Sequence, residues 1–158
     1  MLGYSNIGFL KSKQILYELI ICSSTMDMSQ ICRTCHECPS SHSFSKLCEQ
    51  NNISIFYTNP GEAEKYSDRT GIIAHMDNML SQHVSHKWAW IFDGAGFQHH
   101  HMMELQLTRD IITLINDKYN STLVYVHVKN TNPMIKQLFG IISPFMVNSD
   151  LASKIKFD

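Results

Sequence analysis

Lys87–Phe97, KWAWIFDGAGF, decides how the rest of the chain is read. Trp88, Trp90 and Phe92 alternate with Lys87, Ala89 and Ile91, so the three large rings share one face of an extended segment. Asp93 and Gly94 then stop the strand, because Asp bonds to its own neighbouring backbone and Gly accepts positive φ. Rings on one face with aliphatic residues behind describe a strand covered on both sides. That is the pattern of a sheet interior or of a wall around an apolar ligand.

Working outward, Met102 to Lys118 carries Met103, Leu107, Ile111, Leu114 and Ile115 at helical spacing with charges between them, which predicts one amphipathic helix. Tyr119-Asn120-Ser121 ends it. Thr122 to Val128 (TLVYVHV) is a second strand, with Leu123, Tyr125 and His127 expected on one face and Val124, Val126 and Val128 on the other. Strand, helix, strand makes a βαβ unit, which closes right-handed onto a parallel pair. After Lys129–Pro133 comes an apolar helix, Met134 to Ile142, with Pro144 two residues beyond it. Its Ile135, Leu138, Phe139 and Ile142 form one stripe, continued by Phe145 and Met146. Upstream, Ile53 to Tyr57 is a short strand closed by Asn59-Pro60-Gly61, Glu62 to Asp68 is an exposed loop or helical turn, and Gly71 to Gln82 is a helix. The order β, α, β, α, β, α predicts an α/β fold, a mainly parallel sheet with helices on its faces.

From about Ile53 to its end the chain resembles a CRAL-TRIO domain, the lipid-binding fold of retinaldehyde- and tocopherol-binding proteins and of phosphatidylinositol transfer proteins. The marks are a strand ending in D-x-x-G (Asp93 to Gly96), a helix ending at Tyr119 and the strand Thr122–Val128. Asn130 follows where the family carries N-x-P, then the helix running into Ser143-Pro144-Phe145, and Lys154-Ile155-Lys156-Phe157, like K-I-x-F. Departures are Tyr119-Asn120-Ser121 in place of Tyr-Pro-Glu, a proline displaced to Pro133, and one extra residue before Lys154. Family members continue beyond the position matching Asp158, so a domain short at its C-terminus is expected, with residues 1–50 as a separate helical, cysteine-containing segment and 51–158 as the domain. The resemblance implies binding or transfer of a phospholipid or other hydrophobic small molecule, with transient contact to a membrane surface. The ligand set would be Trp90, Phe92, Tyr125, His127, Leu138, Phe139, Ile142 and Phe145, with the helix 134–142 as a gate. The alternative is the divergent branch of the family, whose members serve as non-enzymatic scaffolds for small GTPases or their regulators. Rings of Trp90 and Phe92 pointing into the pocket favour the scaffold, and the same rings at its margin favour a ligand.

Cys32, Cys35 and Cys38 follow C-x2-C-x2-C spacing, with Cys48 further on and His36 and His42 nearby. Two thiolates separated by two residues can share one tetrahedral zinc, which Cys48 or His42 could complete. Against this, a structural zinc site usually shows two separated ligand pairs, and this is one compact run. An iron–sulfur run would need a fourth cysteine closer than Cys48. Five cysteines are an odd number, which fits reduced thiols in an intracellular, cytoplasmic protein. The resembling family holds no metal in this region, so free thiols on a helix or turn are the plainer reading, with zinc and a disulfide as the alternatives. His99, His100 and His101 point about 100° apart on a helix and read as a solvated helix start. His75, His83 and His86 lack a motif partner and read as surface residues.

At 158 residues and a net charge of −1 the chain is expected to form one core and offers no basic surface for nucleic acid. No apolar run reaches the roughly 18 residues needed to span a bilayer. Gln14 to Cys22 follows two lysines, but Glu18 interrupts it and no small-x-small site follows. An amphipathic helix is therefore expected in place of a cleaved signal, with Met26 or Met28 as alternative starts. Nucleophile-elbow, zincin, P-loop and dinucleotide motifs are all missing, and Gly94-Ala95-Gly96 lacks a third glycine. No cofactor and no enzymatic activity are expected, and Asp93 reads as a turn former in preference to a general base.

Overall fold

The structure is a computed structural model and describes residues 32–38, 41–84 and 86–158. The amphipathic helix expected over Gln14–Cys22 and the starts Met26 and Met28 lie outside them. Within the described residues five strands form one sheet: β1 (Phe44–Gln50), β2 (Ile53–Thr58), β3 (Lys87–Asp93), β4 (Leu123–Lys129) and β5 (Ile155–Phe157). They lie in sequence order, with β1 antiparallel to β2 and every later pairing parallel. The α/β fold with a mainly parallel sheet is thus as the sequence predicts.

β1 is the strand that pattern reading missed. It pairs with β2 through Asn51 and Asn52, at φ 51° and 62°, a left-handed pair that Asn tolerates and that a tight hairpin demands. Its register slips between Lys46 and Cys48. The slip sends Phe44 into the main core and Cys48 to the opposite face, which erases the period-two signal. The sheet therefore runs across the boundary expected at residue 50.

Helices α1 (Arg33–Glu37), α2 (Arg69–His83), α3 (His99–Met103), α4 (Leu105–Leu114), α5 (Pro133–Ile142) and α6 (Leu151–Lys154) complete the described chain. Crossovers between successive neighbours of a parallel sheet are right-handed, so helices following one another along it fall on the same side. Accordingly the residues of α2, α4 and α5 share one core with Phe56, Trp88, Trp90, Val126 and Val128, while Cys48, Ile55 and Ile91 cluster on the other face. Trp88 is fully buried, and its indole N–H donates to the Tyr119 carbonyl at 3.0 Å. Burying a side chain such as Leu138 or Ile135 contributes about 1.5–3 kcal/mol each.

The helix predicted over Met102–Lys118 is two helices. Glu104 leaves helical geometry, at φ −78° and ψ 51°, and separates α3 from α4, which widens into a π turn over Ile115–Tyr119. The break changes the helical phase, so Met103, expected on the core stripe, is 62% exposed while Leu107, Leu114 and Ile115 are buried. α5 ends at Ile142 as expected, and Pro144 sits in the 3-10 turn, Ser143–Met146, that follows it. No helix of the described residues is long and apolar enough to cross a membrane.

Candidate functional site

The C-terminal ends of β2, β3 and β4 meet at Asp93. Its carboxylate accepts from the Tyr57 hydroxyl at 2.9 Å, the Ala95 amide at 2.9 Å and the Asn130 side-chain amide at 2.7 Å. Burial pushes this carboxyl up, but the bonds from Asn130, Ala95 and Tyr57 outweigh it and hold it below its usual range. The Tyr57 hydroxyl is pushed up to about 12, by burial first and then by Asp93. With all three donors spent on the turn, Asp93 is a structural carboxylate. Gly96 supplies the left-handed residue of that turn, at φ +76°.

Gly94 has a different duty. A Cβ there would stand 2.2 Å from Cδ1 of Ile135, so its absence lets α5 seat against the end of β3. Asn132 caps α5 by accepting from the Ile135 amide at 3.0 Å and also donates to the Phe97 carbonyl at 3.0 Å. The N-terminus of α5 is thereby fixed to the β3 turn. Beyond it, Ile141 and Phe145 are 40% and 47% exposed.

Between the sheet and these helices lies an apolar cavity of about 70 Å³. Trp90 and Phe92 of β3 and Val126 of β4 form its floor, Ile111, Ile112 and Ile115 one wall, and Leu138, Phe139 and Ile142 of α5 the other. Two of its few polar groups are hydrogen-bonded. The Trp90 indole donates to Thr58 Oγ1 at 2.9 Å and the Thr108 hydroxyl to the Glu104 carbonyl at 3.3 Å. Burial, with the Glu104 carboxylate near, pushes the Tyr66 hydroxyl far above its usual range and keeps it neutral. The cavity has no charge and no nucleophile, so it can hold a ligand only by apolar contact. A second cavity of about 30 Å³ shares Tyr66, Trp90, Phe92 and Ile111 and reaches His42.

Of the expected ligand set, Trp90, Phe92, Leu138, Phe139 and Ile142 line the cavity. Phe145 does not; it lies outside, with the Arg109 guanidinium 4.4 Å from its ring centroid. Tyr125 and His127 face away from it. The β3–β4 register slips between Trp88 and Ala89, so Leu123 joins Val126 and Val128 in the helix-side core, and the next residues alternate from there. His127 instead meets the Asp158 carboxylate at 2.5 Å. Met146, Leu151 and Ile155 are lining residues that pattern reading did not single out.

The histidines also depart from expectation. His99 and His100 are exposed, but His101 is buried, accepts from the Gln98 amide at 2.9 Å through Nδ1, and stacks edge-on to Tyr66. His75 is not a surface residue: it is 5% exposed, and burial holds it neutral. It stands with Cys32, Cys35 and His42 in a group whose ligand atoms all lie within 4.8 Å of one another. Cys38 and Cys48 are outside that group. The thiol of Cys38 donates to Glu64 at 2.5 Å, while Cys48 lies in the small cluster on the far face of the sheet and, against the expectation of free thiols, is disulfide-bonded.

Three comparisons bear on this architecture. No curated protein matches the sequence. Among solved structures, the crystal structure of Sfh5 is similar with a TM-score of 0.66 at 12% sequence identity, covering 82% of this chain and 51% of that one. The chain thus spans about half the length of Sfh5, and the likeness is one of fold. The pattern of the CRAL/TRIO domain matches residues 51–158, the sheet from β2 onward with the cavity-lining helices. On that match the chain belongs to the CRAL/TRIO domain family, a family of lipid-binding and lipid-transfer domains.

Proposed function

We propose that the chain binds the hydrocarbon part of a phospholipid or similar hydrophobic molecule between β3, β4 and α5, and that α5 moves outward to admit it. The observation that carries this reading is a chargeless cavity closed on one side by a single helix whose hydrogen bonds to the β3 turn lie at its N-terminus, the rest of it being held by apolar packing. Ligand pockets are typically ~300–1,000 Å³, so a cavity of about 70 Å³ must expand to take an acyl chain. Swinging α5 about its Asn132 cap withdraws Leu138, Phe139 and Ile142 together. The exposed Ile141, Phe145 and Val147 lie on the moving side and are suited to brief contact with a membrane surface. The reading is non-enzymatic.

The test is pickup of a fluorescent phosphatidylcholine from vesicles by the purified chain, with native mass spectrometry for bound lipid. Phe139→Asp should abolish pickup with the far-UV spectrum unchanged, since Phe139 is only partly buried, while Phe139→Leu should retain it. Leu138 is unsuitable, because at 4% exposure a charge there attacks the fold itself. Absence of both bound and transferred lipid overturns the proposal.

A second reading, a protein-interaction scaffold for a small GTPase or regulator, is favoured by one observation: Trp90 and Phe92 project into the cavity and leave it small. On that reading Phe92→Ala enlarges the cavity without bringing lipid uptake. On the first reading it raises uptake.

A further inference from the structure

The corner where α1 meets α2 holds four side chains whose donor atoms converge. Cys32 caps α1, its sulfur accepting from the Cys35 amide at 3.4 Å. Cys35 follows one turn on and is buried. His42 enters from the segment before β1 at 3% exposure, and its Nδ1 lies 3.4 Å from Cys32 Sγ and 3.6 Å from Cys35 Sγ. His75 comes from the middle of α2, across the corner, and completes a set confined within 4.8 Å.

The outer hydrogen bonds orient both rings the same way. Nε2 of His42 is 2.8 Å from the Asp68 carboxylate, and Nε2 of His75 is 2.6 Å from the Phe44 carbonyl. Both partners are pure acceptors, so each Nε2 carries the proton and each Nδ1 presents its lone pair toward the sulfurs. The Nδ1 of His75 is buried and has no hydrogen-bond partner. Two thiols hydrogen-bonding to His42 leave that atom unexplained; a cation at the centre engages all four donors at once.

The dimensions agree. Zn–S of ~2.3 Å and Zn–N of ~2.0–2.1 Å at tetrahedral angles place sulfur and nitrogen about 3.6 Å apart, against the 3.4 and 3.6 Å found here. Two thiolates and two neutral imidazoles in a tetrahedron are a zinc ligand set, and the carboxylate and carbonyl behind the histidines are the outer partners such ligands require. We propose that Cys32, Cys35, His42 and His75 bind one structural zinc ion, which clasps α1 and the segment before β1 onto α2. Four protein ligands leave no open position, so the ion is structural and not catalytic. The site lies largely outside the part of the chain that matches the family pattern, with only His75 inside it. His42 also lines the smaller cavity, so the clasp fixes one end of the apolar interior.

The experiment is metal analysis of the purified full chain after incubation with Zn2+ and dialysis into metal-free buffer. On the order of one zinc per chain is expected. Cys35→Ser and His75→Asn should lose it, whereas Cys38→Ser, whose thiol lies outside the set, should keep it. Asp68→Asn should retain the stoichiometry but weaken affinity ~10–100-fold in competition with a chromophoric chelator. Because ligand variants can fail to fold, Co2+ is also titrated into the apo wild-type chain. Tetrahedral thiolate-bound Co2+ absorption, with Cys32 and Cys35 protected from alkylation, supports the site. A folded wild-type chain that takes up neither ion, with Cys32 and Cys35 freely alkylated or joined to each other, overturns it.

Discussion

The apolar cavity and the cysteine–histidine corner are linked by the smaller cavity, which shares Trp90 and Phe92 with the first and is lined by His42, yet they are built by opposite means. The cavity is assembled from many weak contacts along whole elements, so its walls repeat with the period of the strand or helix that carries them. The corner depends on four atoms from three separate segments, the most distant being 43 positions apart in the chain (Cys32 to His75). A surface of the first kind tolerates exchange of one apolar residue for another. One of the second kind fails when a single donor is lost.

Four perturbations break or sharpen that contrast. The largest effect should come from Leu138→Ala, which removes a buried side chain joining α5 to the cavity floor and should cost about 2–5 kcal/mol by denaturant unfolding. A cost near that of a surface substitution would mean that α5 is not clamped to the sheet. Metal removal should act at the other site alone. A strong chelator should raise hydrogen exchange around Cys32–Phe44 and in α2 while leaving β4 and α5 protected; uniform exchange throughout would merge the two regions into one cooperative unit.

Asp93→Ala tests the turn beneath the cavity and should cost about 1.5–3 kcal/mol, since three donors lose a charged acceptor. Its pH dependence has a definite sign. The folded-state carboxyl is held below its ordinary value, so its contribution is complete above the unfolded pKa of ~3.9 and is lost as pH falls through the folded value. Asp93→Asn should therefore flatten the acid limb of the stability profile below about pH 4 while leaving lipid pickup intact. The smallest effect belongs to Arg109→Ala, which removes the guanidinium from the half-exposed Phe145 and should cost about 0.5–1 kcal/mol.

The same contrast explains what could be read in advance. Trp90, Phe92, Leu138, Phe139 and Ile142 were legible because strand alternation and the helical stripe coincide there with the real inner face. Tyr125 and His127 were misplaced by a single register slip in β4, which periodicity cannot detect. Met103 was misplaced by the break at Glu104, and β1 was hidden by the slip between Lys46 and Cys48. At the corner, Cys32 and Cys35 carry a local spacing that draws attention. His75 carries none, because nothing in the local pattern of α2 says that residue faces residues 32–42. Cys38 and Cys48, which the sequence offered as further ligands beside His42, stand outside the group.

The strict sequence order of the five strands has a consequence for how the chain assembles. Each new strand joins an edge already formed by the one made just before it, so no segment has to wait for a distant partner or be inserted between two others. Each parallel closure spans a single crossover, the least that a parallel pairing allows, and the order suits stepwise growth during synthesis. The pair β1–β2 can start this growth as a local hairpin, with α2 docking next. Phe44 and His75, already in contact through the carbonyl bond, would then be among the earliest long-range neighbours to meet. A circular permutant opened between β2 and α2 would have to build the sheet from its middle and add the hairpin last, and its refolding rate measured against the parent chain reports how much speed the native order confers.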